Sequence, residues 1–392
     1  MSLGPALEII RPNDLVFPFF VAVQWGVTVK IFAWIRRRLS GRAAACARLG
    51  AVIFGIAVLS GFLLLFPEVV VFLRLRGTTL LVVGALSLTY LLVATGALTV
   101  SLVMERVRRH LAPRMDPGRR HVIATAGNVL IAAPLAALAG GFVTRNDFHV
   151  REIEIPVPGL PDSLHGLRIL QLSDIHLSAF LSERDLARVI DASNDLRAHL
   201  AVITGDLISV PGDPLDHCIR QLKRLKANGP LLGCLGNHER LAGVEDYCTQ
   251  AAARVGIRFL RREACAIRIG EATLNIAGVD YQRKDLPYLC GAEKLILPGA
   301  TNLLLSHNPD VFPVAAFQGY NLMLAGHTHG GQVTVEILEQ SVNPARFFTP
   351  YVYGLYRIRQ AAAYVTRGIG TIGIPARIGA PPEITVVRLR KA

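Results

Sequence analysis

The chain has 392 residues, of which 52% are hydrophobic, and it carries a formal net charge of +13. Its mean hydropathy of +0.40 is too high for a purely soluble protein and too low for a pure membrane bundle. The length allows two domains. The positive charge raises the alternative of nucleic-acid binding. However, many of the arginines fall between apolar segments, where basic residues fix membrane orientation. We therefore expect membrane lipids as partners and no nucleic-acid binding.

Four apolar segments in the first 145 residues are long enough to cross a bilayer. They cover about residues 15–35, 50–73, 78–104 and 122–143. The sequence predicts an all-α membrane domain of about four transmembrane helices at 1–145, followed by a globular domain at 146–392. A sensor or transporter is the alternative for the first part. The segments contain few polar residues, chiefly Lys30 and Glu68, so an anchor is favoured.

The arginines of the short loops predict the orientation in the membrane. Two clusters hold eleven of them: Arg36, Arg37, Arg38, Arg42, Arg48, Arg106, Arg108, Arg109, Arg114, Arg119 and Arg120. The other short loops and the N-terminal segment hold five: Arg11, Arg74, Arg76, Arg145 and Arg151. Since basic loops stay in the cytoplasm, we expect a multi-pass protein of the bacterial inner membrane. Its globular domain would face the periplasm or the cell exterior.

After residue 145 the pattern alternates between short apolar runs and amphipathic segments. Strands are predicted at 167–173, 200–204 and 230–235, and helices at about 182–197 and 215–227. This alternation is typical of an α/β layered core. Beyond residue 255 the sequence predicts further short strands at 266–269, 272–279, 302–305 and 322–324, with fewer helices.

Five of the apolar runs end in residue types that bind metal ions. The motifs are Asp174-Ile-His176, Gly205-Asp206, Gly236-Asn237-His238-Glu239, Ser306-His307 and Gly326-His327-Thr328-His329. Residues two apart project from the same side of an extended chain, so Asp174 and His176 can both reach one ion. His327 and His329 repeat this two-residue spacing. Glycine before the polar residue lets the backbone turn sharply and leaves room for an ion.

The number and chemistry of these residues predict two divalent ions. Seven are of ligand type: Asp174, His176, Asp206, Asn237, His307, His327 and His329. That is too many for one tetrahedral ion, but it suits two ions that share a carboxylate. Carboxylate, amide and imidazole donors without a thiolate favour Mn, Fe or Zn. Such a pair of ions suits in-line displacement at phosphorus.

These five motifs, in this order, resemble the signature of the calcineurin-like metallophosphoesterase family over about residues 150–390. The resemblance implies two mixed β-sheets sandwiched between helices, with a dinuclear centre at the strand ends. It implies one metal on Asp174, His176, Asp206 and His329, and a second on Asp206, Asn237, His307 and His327. Asp206 would bridge the metals. His238 would contact the phosphate and protonate the leaving group rather than bind metal. Glu239 stands where the family often has aspartate.

The segment Gly326–Gln332 and the tail motifs Thr366–Gly370 and Pro381–Ile384 look like the bacterial membrane-linked branch of phosphodiesterases of the YaeI and YkuE type. The resemblance implies a membrane-anchored hydrolase of phosphodiester or pyrophosphate bonds, with phospholipids or glycolipids as candidate substrates. One alternative is a cytoplasm-facing enzyme that acts like the UDP-2,3-diacylglucosamine pyrophosphatase of lipid A synthesis. A metal-free membrane scaffold is another, but every ligand position of the motifs is present.

Two further features of the globular part have more than one interpretation. Six cysteines lack any metal-binding spacing; Cys234 is expected as a buried free thiol, and disulfides among the others stay open. The segment 346–356 carries one arginine and five aromatic residues. Aromatic side chains near a membrane can lie at the headgroup level, and packing of the segment onto the core is the alternative.

Overall fold

The computed structural model describes residues 12–65, 69, 78–111, 136–283, 288–337 and 340–392. The chain divides into two compact units, Met1–Ala137 and Leu138–Ala392. The first unit contains the helices α1 (Pro12–Arg38), α2 (Gly41–Leu63) and α3 (Thr78–Leu111).

Three stretches of these helices are long and apolar enough to cross a membrane: Val16–Arg38, Gly41–Leu63 and Val82–Val107. The fourth predicted span, at 122–143, lies largely outside the described residues, which resume at 136. Helix α2 begins nine residues before the predicted span at 50, so Arg42 and Arg48 lie within the helix. The alanine-rich stretch between these two arginines explains the difference, because alanine has the highest helix propensity.

Small residues let the three helices approach one another closely. A Cβ on Gly61 would lie 2.3 Å from Oγ of Ser87, and one on Gly55 would lie 2.8 Å from Nε2 of Gln24. Glycines at such contacts are typical of helix packing in lipid. Lys30, which interrupts the first apolar segment, places Nζ 2.6 Å from Oε1 of Glu105 on α3. The charge is therefore paired within the unit.

The second unit contains two six-stranded mixed sheets. The strands are β1 (His149–Val157), β2 (Arg168–Leu172), β3 (Leu200–Thr204), β4 (Leu231–Cys234), β5 (Ile257–Phe259), β6 (Glu263–Ile269), β7 (Ala272–Gly278), β8 (Thr301–Leu305), β9 (Leu322–Ala325), β10 (Val335–Ile337), β11 (Gln340–Val342), β12 (Gly354–Ile358), β13 (Ala361–Val365) and β14 (Glu383–Lys391). One sheet has the order β1-β14-β2-β3-β4-β5 and the other β12-β13-β9-β8-β7-β6, while β10 and β11 form a separate hairpin. Strands β2 to β5 run parallel, as do β7, β8, β9 and β13.

Helices cover the outer faces of the two sheets. They are α4 (Glu183–Asp195), α5 (Leu215–Leu222), α6 (Asn237–Ala242), α7 (Glu245–Ala253) and α8 (Phe312–Gln318). Residues of α4, α5 and α7 pack on the first sheet, and residues of α8 pack on the second. Between the sheets, apolar side chains from both form one buried cluster that includes Val202 and Leu303. The predicted sandwich of two mixed sheets between helices is confirmed.

The predicted strands all occur, with shifts of a few residues at their ends. The predicted helix at 215–227 is shorter and ends at Leu222. The sequence analysis did not identify β5 or the strands after residue 325. Of these, β14 pairs with β1 on one side and β2 on the other, inside the first sheet. All six cysteines are free, and Cys234 is buried as predicted.

Candidate metal centre

The five motifs lie at the carboxyl ends of β2, β3, β4, β8 and β9. These strands belong to two sheets, and the parallel direction within each sheet brings their ends to one edge. Main-chain hydrogen bonds tie the motifs together: the N–H of Asp174 donates to the carbonyl of Gly205, and the N–H of Gly326 donates to that of His307. The fold thus gathers residues that are far apart in the chain.

One group of side chains consists of Asp174, His176 and His329, all of them buried. Nε2 of His176 lies 3.1 Å from Nε2 of His329, and Oδ1 of Asp174 lies 3.4 Å from the same His329 atom. Donor atoms about 2.0–2.2 Å from one ion lie roughly 3.0–3.5 Å from each other. The observed separations therefore suit three ligands of one ion.

A second group consists of Asp206, His307 and His327. Oδ2 of Asp206 lies 2.9 Å from Nε2 of His307, and that nitrogen lies 3.2 Å from Nδ1 of His327. The same Asp206 oxygen is 3.5 Å from Nε2 of His176 in the first group. One carboxylate oxygen thus faces both groups, which is the position of a bridging ligand.

Asn237 is the first residue of α6, directly after Gly236. The N–H of the following residue, His238, donates to Oδ1 of Asp206 at 2.9 Å, so this turn lies against the shared carboxylate. The side-chain oxygen of Asn237 is buried and has no hydrogen-bond partner. A buried carbonyl oxygen without a partner is costly, and coordination of a cation would satisfy it.

The backbone at these positions is strained. Five residues of the two groups have φ in the left-handed region: Asp174 (50°), His176 (48°), Asp206 (54°), His327 (77°) and His329 (53°). Residues other than glycine rarely adopt this region, and such outliers cluster at functional sites. Gly326 leaves the space that the site requires, because a Cβ there would lie 2.3 Å from Oδ2 of Asp174.

The electrostatics of the metal-free groups are set by burial and by the two aspartates. Burial lowers the pKa of His176 to about 3 and that of His327 to about 4. These imidazoles are therefore neutral at neutral pH, which is the form that binds metal. Burial alone would lower the pKa of His307, but the carboxylate of Asp206 outweighs it and raises that pKa to about 10. Burial raises the pKa of Asp174 to about 6.

His238 is half-buried, and it forms a third group with His176 and Asp206 whose donor atoms lie within 4.8 Å of one another. Its Nδ1 lies 2.5 Å from the carbonyl oxygen of Ser209. Since a carbonyl only accepts, Nδ1 carries the hydrogen, and Nε2 is left as the nitrogen that exchanges a proton.

Several residues that the sequence analysis did not assign orient the histidines from behind. Oγ of Ser209 lies 3.1 Å from Nδ1 of His176, and Nδ1 of His307 donates to the carbonyl of Thr204 at 2.6 Å. Partners of this kind fix the tautomer and ring orientation of metal-binding histidines. The Thr204 carbonyl has no sequence signal, since any residue supplies one.

Arg377 is another residue that the sequence analysis missed, and it is buried beside His329. Its Nη2 lies 3.4 Å from Nδ1 of His329, and the same group donates to the carbonyl of Arg367 at 2.9 Å. Its Nη1 donates to the carbonyl of Ala380 at 3.0 Å. Burial lowers the pKa of Arg377 to about 10, so the guanidinium stays charged at neutral pH. The only sequence signal for Arg377 was its position between the tail motifs Thr366–Gly370 and Pro381–Ile384.

Glu239 holds the opposite side of the site. Its fully buried carboxylate accepts hydrogen bonds from the N–H groups of Asp206 at 3.0 Å, Leu207 at 2.7 Å and Gly236 at 2.8 Å. The side chain therefore joins the loop after β3 to the loop after β4. Glutamate stands where the family of the resemblance often has aspartate, and its hydrogen bonds orient the two loops.

Comparison with known proteins adds an independent finding. Residues 167–331 match the family model described as calcineurin-like phosphoesterase. A transmembrane protein with metallophosphoesterase domain from Danio rerio is 34% identical over 261 residues, covering 62% of this chain and 57% of that protein. The chain thus spans little more than half the length of that relative.

Two bacterial relatives are matched over most of their length. The uncharacterized metallophosphoesterase YkuE of Bacillus subtilis is 31% identical over 235 residues, which are 59% of this chain and 82% of YkuE. The phosphodiesterase YaeI of Escherichia coli is 28% identical over 235 residues, which are 58% of this chain and 84% of YaeI. The residues matched by the family model lie in the unit that contains the two groups of donor atoms.

Proposed function

Since the chain belongs to the calcineurin-like phosphoesterase family, we propose that it is a membrane-anchored hydrolase of phosphodiester or pyrophosphate bonds that uses two divalent ions. The observation that carries the proposal is the shared oxygen of Asp206, which faces a donor group on either side. The spacing of the donor atoms, the neutral imidazoles of His176 and His327, and the orphaned oxygen of Asn237 all fit divalent ions.

We assign Asp174, His176, Asp206 and His329 to one ion and Asp206, Asn237, His307 and His327 to the other. The donor set contains carboxylate, amide and imidazole, which suits Mn, Fe or Zn. Two ions held in this way would polarise phosphoryl oxygens and would supply the nucleophile at neutral pH. Asp206 would be catalytic because its carboxylate would hold both ions.

The protein's own residues orient the phosphate and move the proton. His238 has its Nδ1 hydrogen fixed by the carbonyl of Ser209 at 2.5 Å. Its Nε2 is therefore positioned to give a proton to the leaving oxygen when the ring is charged, as general acids do. Asn237 and His238 lie next to each other at the start of α6, and both orient the phosphate there.

A hydrolysis panel tests this activity. With Mn²⁺ added, we expect the purified full chain to cleave bis-p-nitrophenyl phosphate faster than p-nitrophenyl phosphate, as the name of YaeI implies for that relative. Metal analysis should find about two equivalents of divalent ion. A preference for the monoester contradicts the phosphodiesterase assignment, and a metal-free protein without activity supports the scaffold alternative.

We also propose that residues 1–145 anchor the protein in the bacterial inner membrane and that residues 146–392 face the periplasm or cell exterior. The support is the excess of arginines in two clusters at the ends of the apolar segments, together with three described helices that are long and apolar enough to cross a membrane. Substrates would then be phosphodiesters or pyrophosphates of the outer leaflet or periplasm, including phospholipids and glycolipids.

A pair of fusions at Ala392 tests the orientation. Alkaline phosphatase fused there should be active and β-galactosidase inactive. The reverse result means that one proposed span is false, and it favours the cytoplasm-facing alternative, with UDP-2,3-diacylglucosamine or a related precursor as substrate.

A further inference from the structure

Phe347 and Phe348 are the most exposed of the large hydrophobic side chains that the structure describes, with 88% and 76% of their surface open to solvent. They lie at the end of a short 3-10 helix, Pro344–Phe347, after the exposed Arg346. Single exposed apolar residues are common. Two adjacent phenylalanines at this level of exposure form a projecting apolar tip, which we call the Phe347–Phe348 tip.

Hydrogen bonds on both sides of the tip connect it to the segments that carry the site. Oδ1 of Asn343 accepts from the N–H of Ala345 at 2.9 Å, while its Nδ2 donates to the carbonyl of Gly330 at 2.9 Å, next to His329. On the other side, Oγ1 of Thr349 donates to Oδ1 of Asp310 at 2.5 Å. The tip is therefore braced by the segments that follow both histidine motifs of the second sheet.

A cavity of about 210 Å³ lies at the foot of the tip, and its walls include His327, Thr328, Asp310 and Phe348. It thus leads from the aromatic tip to one of the proposed metal ligands. Pockets that enclose whole drug-sized ligands measure about 300–1,000 Å³. This cavity accommodates a small polar group, while acyl chains attached to that group have to stay outside.

The chemistry of the tip favours a lipid surface over a protein partner. A standard protein interface buries about 800 Å² on each side, and two phenylalanines on a projecting turn offer far less. Aromatic and basic side chains together are typical of the membrane interface. The part of the chain that the structure describes contains three helices that could cross a membrane, and such a tether keeps the tip at high effective concentration near lipid.

We propose that the Phe347–Phe348 tip inserts into the lipid surface and that the cavity beside His327 receives the headgroup of a lipid phosphoester from that surface. The role of the cavity rests on the proposed hydrolase function. Insertion of the tip does not require turnover, and the two parts can be measured separately.

The insertion is tested by quenching with brominated lipids. The chain has two tryptophans, Trp25 and Trp34, and both are replaced by phenylalanine. Phe347→Trp is then introduced into the full chain in nanodiscs of phosphatidylethanolamine and phosphatidylglycerol. Phe317→Trp is the matched control, since Phe317 is 64% exposed and its ring lies against Arg359. We expect brominated lipid to quench the fluorescence of the Phe347→Trp variant and to leave that of the Phe317→Trp variant unchanged. No quenching in Phe347→Trp, or equal quenching in both variants, overturns the proposal.

The delivery of lipid from the tip to the cavity is tested in variants that keep Trp25 and Trp34. The ratio of turnover on a phospholipid in the disc to turnover on bis-p-nitrophenyl phosphate is compared for Phe347→Ser and Phe317→Ser. We expect the ratio to fall about 10-fold in Phe347→Ser, because serine lacks the favourable transfer of one phenylalanine side chain from water into the lipid surface. Equal ratios in the two variants overturn the lipid delivery. Absence of hydrolysis on every substrate, with quenching intact, contradicts the proposed function and leaves the insertion standing.

Discussion

The two donor groups of the site differ in how they meet solvent. Asp174, His176 and His329 are at most 3% exposed, whereas Asn237 and His327 of the other group are half-buried, and His327 borders the cavity. The inner group is thus enclosed, while the outer group is partly open to solvent. Under the proposed assignment, one ion would be enclosed by protein and the other would be accessible to a substrate.

Each group is also supported by one buried charged residue, and these two residues have opposite charges. Arg377 lies behind His329 of the inner group and donates to main-chain carbonyls, while Glu239 lies behind the outer group and accepts from main-chain N–H groups. The bridging Asp206 belongs to both. Variants at these three positions, and at His238, should separate the roles of the two groups.

The largest effect is expected for Asp206→Asn, which removes the charge that faces both groups. An amide bridges two cations poorly, so turnover should fall to background, with loss of at least one ion by metal analysis. Asp195→Asn, at an exposed position, is the control and should keep full activity. Near-normal turnover with two ions bound in Asp206→Asn would contradict the dinuclear assignment.

His238→Ala should lower the rate without loss of metal. Removal of a general acid costs roughly 10²–10⁴-fold, and the cost should shrink for substrates with good leaving groups, which need little protonation. His149→Ala, exposed at the start of β1, is the control. If metal analysis finds an ion missing in His238→Ala, then His238 is itself a ligand and the assignment is wrong.

Arg377→Lys should weaken the inner group selectively. Lysine keeps the charge but loses the planar fork that reaches His329 and several carbonyls together. Loss of a partner behind a metal ligand typically costs about 10–100-fold in metal affinity. A titration with Mn²⁺ should find that one ion binds with lower affinity and that the affinity for the other is unchanged. Arg184→Lys, on the exposed face of α4, should change neither affinity. An equal loss of affinity for both ions would contradict the assignment of Arg377 to the inner group alone.

The smallest effect on catalysis is expected for Glu239→Gln. Three N–H groups point at this carboxylate, and the amide group of glutamine cannot accept from all of them. Each unsatisfied donor costs about 1–3 kcal/mol, so denaturant unfolding should report a lower free energy of unfolding while two ions remain bound. Glu271→Gln, at an exposed site, serves for comparison. Unchanged stability would mean that Glu239 does not hold the two loops.

The sequence was enough to predict the strands that carry the site and the residue types at their ends. Each motif follows a short apolar run, which placed Asp174 at a strand end, and glycine directly before Asp206 and His327 also marked the turn there. The sandwich of two sheets came from the resemblance that these motifs carry. Local pattern also limited the prediction, since α2 begins earlier than its most apolar stretch.

The tertiary structure was needed to show which residues contact the proposed ligands and which residues line the adjacent cavity. Arg377 contacts His329, Glu239 accepts hydrogen bonds from the loop after β3, and Phe348 lines the cavity together with His327. These contacts arise because loops from different strands converge at one edge of the sheets. The insertion of β14 between β1 and β2 is of the same kind. Hydrophobic periodicity specifies which face of an element is buried, but it does not specify which distant element packs against that face. That choice follows from strand order, which the tertiary packing sets.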